Sequence, residues 1–317
     1  MVGHKQIMIS FIVIGRNEGW KLNLCLKSIY ETIKYNHLSK YEVIYVDSDS
    51  SDNSLEQIKN HENLIKVKIS GDINAAVARN VGADISKGSV LFFIDGDMEI
   101  MPDFLNKVYN ENTGLCNDFV SGKYINYYYS QDWELLSKEK HNDTKEVIES
   151  VTGGLFLIKK DTWNLVGGMK NVFKRSQDID LGLRLSKQNI LLHRKGYLAA
   201  KHHTIHYFDK KRMWLDFFKF YHLYGRSLIY RYHLTNLKMY SRLVRNDYTA
   251  ILFTILTILA ALNKEILLIV FYPIIVLIRS KYRLDLLFYI MLRDISSLAG
   301  FFIFWPNTKK KHSIILM

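Results

Sequence analysis

Two aspartates, one residue apart, close an apolar run: Val90-Leu91-Phe92-Phe93-Ile94-Asp95-Gly96-Asp97. Unpartnered buried carboxylates are costly, so the pair is expected just past the end of a strand, facing a cleft. Gly96 lets the backbone turn so that both carboxylates face one side. Such a pair can grip a hard divalent cation, which takes one or two protein carboxylates and fills its shell with substrate phosphates. A strand running into an acidic turn is the plainer reading. Asp47 ends another apolar run, and Arg79 stands in an alanine-rich stretch before the acidic one. An arginine so placed suits a diphosphate. Farther on come Gly153-Gly154, then Asp178 and Asp180, then His202, His203 and His206.

The elements that must position these residues follow from periodicity. Ile7–Ile14 reads as a strand buried on both faces, closed by Gly15, and not as a signal peptide, for it lacks a small-residue cleavage site. Leu22, Leu26, Ile29 and Ile33 fall on one helical face. Tyr41–Val46 is a second strand, ending at Asp47. The polar run Ser48–Ser54 predicts a loop capping a helix from Leu55. Ile65–Ile69 alternates as a half-exposed strand, Ala75–Ala83 is a small-residue helix, and the run to Asp95 is another strand. Alternating strands and helices imply a parallel sheet with right-handed crossovers. Ligands of such sheets bind outside the carboxyl ends of the strands, where Asp47, Asp95 and Asp97 are expected to share a crevice. A turn or cap role for Asp47 stays open.

Four segments together, Ile14-Gly15-Arg16-Asn17-Glu18, Val46-Asp47-Ser48-Asp49-Ser50-Ser51-Asp52, Ala78-Arg79-Asn80-Val81-Gly82 and Ile94-Asp95-Gly96-Asp97, resemble in order and spacing the signatures of family 2 glycosyltransferases. The resemblance implies a GT-A fold, a nucleotide-diphosphate sugar donor, and Mg²⁺ or Mn²⁺ as cofactor. It assigns Asp47 to the nucleotide base, Arg79 to the nucleotide or diphosphate, and Asp95 and Asp97 to the metal. Ser48 and Asp49 stand where the family commonly has an aspartate and a glycine, which leaves the base open.

Met101–Ser150 carries little signal. Tyr124–Tyr129 is an aromatic strand candidate and Glu134–Glu149 reads as a solvated helix or loop. Gly153 and Gly154 open a strand, where small residues allow close backbone approach by a nucleotide sugar. A helix begins near Asp178, where acids commonly serve as dipole partners. Inverting glycosyl transfer needs one carboxylate to take the acceptor's proton and a cation to neutralise the leaving diphosphate. Ser176-Gln177-Asp178-Ile179-Asp180 resembles the family's Glu-Asp-x-Asp segment, which makes Asp178 the catalytic base and Gln177 a departure. Asp180 is open to a supporting role. The resemblance also implies a histidine here that can complete the metal site or contact the diphosphate; His202 aligns best, with His203 and His206 close behind.

The chain has 317 residues, a net charge of +12, two distant cysteines and three prolines. These numbers argue against disorder and against a disulfide framework, and for an anionic partner and a reducing compartment. Between Lys195 and Asp247, eleven Lys/Arg face three Asp/Glu, interleaved with Trp214, Phe217, Phe218, Tyr221 and Tyr224. That pattern suits an anionic membrane surface, and no nucleic-acid motif accompanies it. Tyr248–Leu262 and Ile266–Ile278 are apolar but shorter than the ~20 residues of a span, so a hairpin or re-entrant form is expected. Leu284–Trp305 contains Arg293 and Asp294 and reads as interfacial.

The expectation is therefore an α/β GT-A domain (1–210) with a Rossmann-like, mostly parallel mixed sheet. Basic amphipathic helices (211–247) and an apolar, membrane-associating helical region (248–317) follow it. The function expected is metal-assisted, inverting transfer to a glycan or lipid-linked acceptor at the cytoplasmic face of a bacterial plasma membrane. A processive polysaccharide synthase and a silent scaffold of a glycan-assembly complex are the alternatives. No Gln-x-x-Arg-Trp segment supports the first, and the intact Asp-Gly-Asp speaks against the second.

Overall fold

The computed structural model describes residues 7–58, 61–142, 144–205, 214–215, 217–219, 221–306 and 312–317. His206 and the closing lysines Lys309–Lys311, singled out in the sequence, lie outside them, as does the Arg212-Met213 pair weighed against the synthase motif. The chain divides into a sheet unit (1–171, 177–206 and 309–317) and a helical unit (172–176 and 207–308).

The sheet unit opens with β1 (Ile9–Gly15), α1 (Trp20–Tyr35), β2 (Tyr41–Asp47), β3 (Leu64–Gly71), α2 (Ala75–Ile85) and β4 (Val90–Asp95). β1 pairs in parallel with β2 and β4, and β2 with β3. The expected parallel core is therefore present, and its register sets Gly15 beside Asp47 and Ile14 beside Asp95. Successive strand residues point to opposite faces. Ile9, Phe11 and Val13 accordingly pack with Leu22, Leu26 and Ile29 of α1, while Ile12 and Ile14 pack with Val77 and Val81 of α2. No helix begins at Leu55: described residues after Ser51 form turns held by Asp52 accepting from Ser54 N and by Gln57 N donating to Asn53 O.

Beyond β4 the sheet turns mixed. β5 (Met98–Ile100), α3 (Pro102–Leu105) and a small hairpin of β6 (Tyr109–Asn110) and β7 (Gly114–Leu115) precede the long β8 (Phe119–Tyr129). β9 (Leu135–Lys138) and β10 (Val147–Glu149) follow, then β11 (Phe156–Lys159), α4 (Lys160–Leu165), α5 (Gln177–Lys187) and β12 (Leu192–Ile205). β11 runs antiparallel to β4, and β12 parallel to β8. The segment Glu134–Glu149, expected as a solvated helix or loop, holds two exposed strands, because β8 and β12 offer edges that β9 and β10 complete.

The helical unit contains α6 (Tyr221–Tyr232), α7 (Leu237–Asn246), α8 (Tyr248–Asn263), a 3₁₀ turn (Ile266–Val270), α9 (Phe271–Arg279) and α10 (Leu284–Ile303). α7 and α8 meet at a bend of 89°. Among the described residues one helix, α10, is long and apolar enough to cross a membrane. The apolar stretches Tyr248–Leu262 and Ile266–Ile278 form shorter pieces, and the one read as interfacial is the longest. Arg293 and Asp294 do not interrupt α10, because both are buried: Asp294 accepts from Arg293 at 2.8 Å, Thr249 at 2.5 Å and Tyr272 at 3.2 Å. After this unit the chain returns as β13 (His312–Leu316), antiparallel on β3 in the sheet unit. This strand falls within the stretch read as apolar and membrane-associating.

Candidate active site

The carboxyl ends of β1, β2 and β4 surround a cavity of about 270 Å³ lined by Gly15, Arg16, Glu18, Ser48, Asn74, Asp95 and Asp97. Gly96 N donates to Ile14 O at 2.8 Å, and Ser48 N to Gly15 O at 2.9 Å, so backbone bonds hold the three strand ends together. Glu18 sits between two glycines: a Cβ on Gly15 would lie 2.9 Å, and one on Gly96 3.1 Å, from its Cγ. Burial and the charge of Asp97 raise the Glu18 carboxyl above its ordinary pKa, against the pull of Lys21, whose Nζ lies 2.6 Å from Oε2.

Arg79 reaches Asp95 from α2, Nη2 to Oδ1 at 2.5 Å. The helix is aimed by its N-cap, Asn74, whose side chain accepts from Ala76 N and Val77 N. Burial raises Asp95 despite Arg79, and Asp97, with a smaller push from Asp178, adds to the rise. Asp97 moves the other way: burial opposes its ionisation, but the hydrogen bond and charge of His202, joined by the charge of Lys21 and a backbone hydrogen bond, outweigh burial.

Asp178 lies in the first turn of α5, half-buried, and its backbone oxygen accepts from Thr152 N at 3.4 Å. α5 approaches this segment closely because residue 182 is glycine; a Cβ there would stand 2.3 Å from Ser150 O. Two residues past Thr152, a Cβ on Gly154 would come within 2.1 Å of Asp95 Oδ2. Gly154 thus makes room for Asp95, whereas Gly153 has φ 74° and open space apart from Arg194 Nη2 at 3.9 Å. Asp180 is fully buried and pairs with Arg184 at 2.6 Å, while Arg184 also donates to Val166 O. It supports the helix and the neighbouring loop.

The histidines divide by strand alternation. His202 Nε2 lies 3.3 Å from Asp97 Oδ2, and its Nδ1 2.7 Å from Asn126 Oδ1, with Asn126 held in turn by Glu139. His203 turns the other way, toward Glu99 at 3.3 Å and the Tyr129 hydroxyl at 2.9 Å. Asp47 is fully buried and spends its carboxylate locally, accepting from the Tyr45 hydroxyl, Ser50 N and Ser50 Oγ. As folded it shapes the loop after β2, the turn role left open in the sequence. Asn17 and Ser51 lace that loop to the one after β1. Asp49, standing where the family commonly has glycine, has φ 57° and pairs with Lys68.

Among the described residues no three His, Cys, Asp or Glu side chains are placed to hold an ion by themselves. The expected trio of Asp95, Asp97 and His202 is therefore not a ready-made ligand set: Arg79 occupies one oxygen of Asp95, and His202 is a hydrogen-bond partner of Asp97. The residues do fit a hard cation that brings its other ligands with a diphosphate and water. Asp97 Oδ1 is buried with no hydrogen-bond partner, and the adjoining carboxyls of Asp95 and Glu18 repel it. Glu18, the Asn126–Glu139 pair behind His202, and Arg194 beside Gly153 were not picked out as site residues from the sequence. Only Glu18 had a signal there, within Gly15-Arg16-Asn17-Glu18.

The profile described as Glycosyl transferase family 2 matches residues 10–176, more than half of the chain. The chain belongs to glycosyl transferase family 2. The parallel strands β3-β2-β1-β4 with their antiparallel extension form the mixed α/β sheet of its GT-A fold. The chain is 33% identical over 121 residues to the poly(ribitol-phosphate) beta-N-acetylglucosaminyltransferase TarP of Staphylococcus aureus, covering 37% of this chain and 36% of that protein. It is 24% identical over 188 residues to an uncharacterized glycosyltransferase of Haemophilus influenzae, covering 57% and 63%. The match thus spans less than two thirds of the length of either relative. A crystal structure of GalNAc-T7 with UDP, GalNAc and Mn2+ superposes with a TM-score of 0.49 at 14% identity, covering 62% of this chain and 44% of that one.

Proposed function

We propose that this family 2 protein transfers a glycosyl group from a nucleotide-diphosphate sugar to a hydroxyl of a glycan or lipid-linked acceptor, with inversion. The observation that carries the reading is the gathering of Asp95, Asp97 and Glu18 around one cavity, with Asp178 bonded through its backbone to Thr152, two residues before the Gly154 that packs on Asp95. In this reading Arg79 binds the donor diphosphate, and the backbone at Gly153 gives the sugar room. Asp47 holds the loop that borders the nucleotide base. Asp178 accepts the acceptor's proton as its oxygen bonds to the anomeric carbon and the bond to the diphosphate breaks. Asp95 and Asp97 would hold Mg²⁺ or Mn²⁺, with His202 fixing the orientation of Asp97. When bound, the ion supplies charge neutralisation for the leaving diphosphate.

The helical unit supports a place at an anionic membrane surface. Leu237, Ile266, Leu267, Ile303 and Trp305 are all at least three-quarters exposed. A cytoplasmic face suits the free Cys25 and Cys116 and a nucleotide-sugar donor. The test is a panel of nucleotide-diphosphate sugars incubated with the protein and Mn²⁺. Release of free diphosphonucleoside from at least one, stopped by EDTA, is expected. Release from none would sink the reading.

A further inference from the structure

The aromatic residues of β8, which the function above does not use, join others in a cluster beside the carboxylate cavity. Trp20 and Trp133 meet edge to face with ring centroids 5.7 Å apart, and Tyr129 lies 5.6 Å from Trp20. Both indoles keep over a third of their surface open, at 37% and 36%, although each packs on neighbouring rings. Trp133 is presented in left-handed backbone, φ 63°, which a residue with a Cβ adopts only at a cost. The Ser130–Glu134 turn enforces it: Ser130 Oγ accepts from Asp132 N and Glu134 N, and Ser130 N donates to Glu134 O.

The cluster has polar edges. The Tyr129 hydroxyl is bonded to His203 Nδ1, and the His203 ring packs against Trp20 at 5.5 Å. Two links lead to the carboxylate cavity. Lys21 Nζ lies 4.8 Å over the Trp133 ring and 2.6 Å from Glu18, and His203 N donates to Asp97 O at 2.9 Å. An open indole beside fixed hydrogen-bonding groups matches one class of ligand in particular. A pyranose presents a face of weakly positive C–H bonds to the negative face of an aromatic ring, while its hydroxyls reach sideways to polar groups.

We propose that the exposed indoles of Trp20 and Trp133, flanked by Tyr129, form the platform on which a pyranose ring of the acceptor packs, one indole offering its face and the other, set at 90° to it, walling the edge. The platform rests on the glycosyltransferase reading for its role, and assigns the acceptor class as a saccharide rather than a bare lipid or polyol phosphate.

The experiment titrates methyl β-D-glucopyranoside and methyl N-acetyl-β-D-glucosaminide into the full chain, following tryptophan emission and saturation-transfer NMR. In parallel, UDP and GDP are titrated with Mn²⁺. At least one glycoside is expected to change emission and to receive saturation on its ring C–H protons. W20A and W133A weaken its binding about tenfold, whereas W133F keeps most of it, as expected when the ring face carries the contact. Nucleotide affinity stays with the cavity and shifts by less than about twofold in W133F. The proposal is overturned if neither glycoside is bound by the wild type, or if W133F loses as much glycoside affinity as W133A. It is also overturned if the substitutions weaken UDP or GDP in place of the glycoside. Glycoside binding by a protein that releases no diphosphonucleoside from any donor would leave the platform standing and end the transferase reading.

Discussion

In the sheet unit the largest side chains with almost no exposure are Tyr45, Phe11, Phe92, Phe93, Phe104, Phe119 and Phe156, and the functional carboxylates gather at strand ends. In the helical unit Arg293, Asp294 and Asp247 are buried, while Leu237, Ile266 and Leu267 point outward with 84%, 78% and 76% of their surface open. The first pattern is that of a domain surrounded by water. The second departs from it: the buried Arg293 and Asp294 lie in a unit whose apolar cluster includes Tyr272, Val276, Leu287 and Ile290, and several large apolar side chains stay exposed. Charge therefore has two uses in one chain. At the cavity the carboxylates of Glu18, Asp95 and Asp97 crowd one another; among the helices Asp294 accepts from Arg293, Thr249 and Tyr272, and Asp247 pairs with Arg226.

Four measurements would break or sharpen this contrast, beginning with the largest effect. Asp178→Asn should cut glycosyl transfer by about 10²- to 10⁴-fold while donor affinity changes by less than about twofold, read by steady-state kinetics beside nucleotide titration. A loss of donor affinity as large as the loss of turnover would place Asp178 in donor binding. Asp294→Ala strands Arg293 among the helices and should destabilise the helical unit by about 3–5 kcal/mol, seen as a lowered unfolding midpoint. Adding Arg293→Met should recover part of it; no recovery would mean the network is not what holds those helices. Replacing Ile266 and Leu267 together by serine should weaken flotation with phosphatidylglycerol vesicles by about tenfold. The same change at Leu135 and Leu136, exposed in the sheet unit, should leave flotation unaltered; equal losses would erase the distinction.

The smallest effect concerns pH. The hydrogen bond from His203, working against partial burial, and those from Lys201 lower Glu99 to about 2. A carboxyl lowered in the folded state adds stability above its unfolded pKa of 4.5, and that increment fades as pH falls from there toward 2. Glu99→Gln should lower the melting temperature slightly at pH 7, with the difference from wild type vanishing by about pH 2. A difference that persists in acid would assign the loss to packing.

Much of the parallel core was legible because strands buried on both faces read as unbroken apolar runs, as at Phe11–Ile14 and Val90–Ile94. The Asp95-Gly96-Asp97 turn was legible for the same reason. What escaped was decided by contacts far along the chain. β9 and β10 are exposed strands whose only claim to extended structure is the edge each completes. Leu55 follows a polar run that bonds to Asn17 and Gly19, so local propensity for a helix lost to tertiary bonds. The split between His202 and His203 follows from strand alternation, but which of the two faces Asp97 depends on a register no local pattern states. Gly154, expected to admit a ligand, admits Asp95.

The pairing of His312–Leu316 with β3 gives the helical unit the standing of an insertion between two strands of one sheet. Cutting the chain after residue 205 would do more than remove helices. It would uncover a ladder from Val67 to Gly71, with Ser70 losing its 2.6 Å bond to Ser313, and hand a sticky border to any neighbouring molecule. A soluble fragment would fare better with the helices excised and the last strand spliced back.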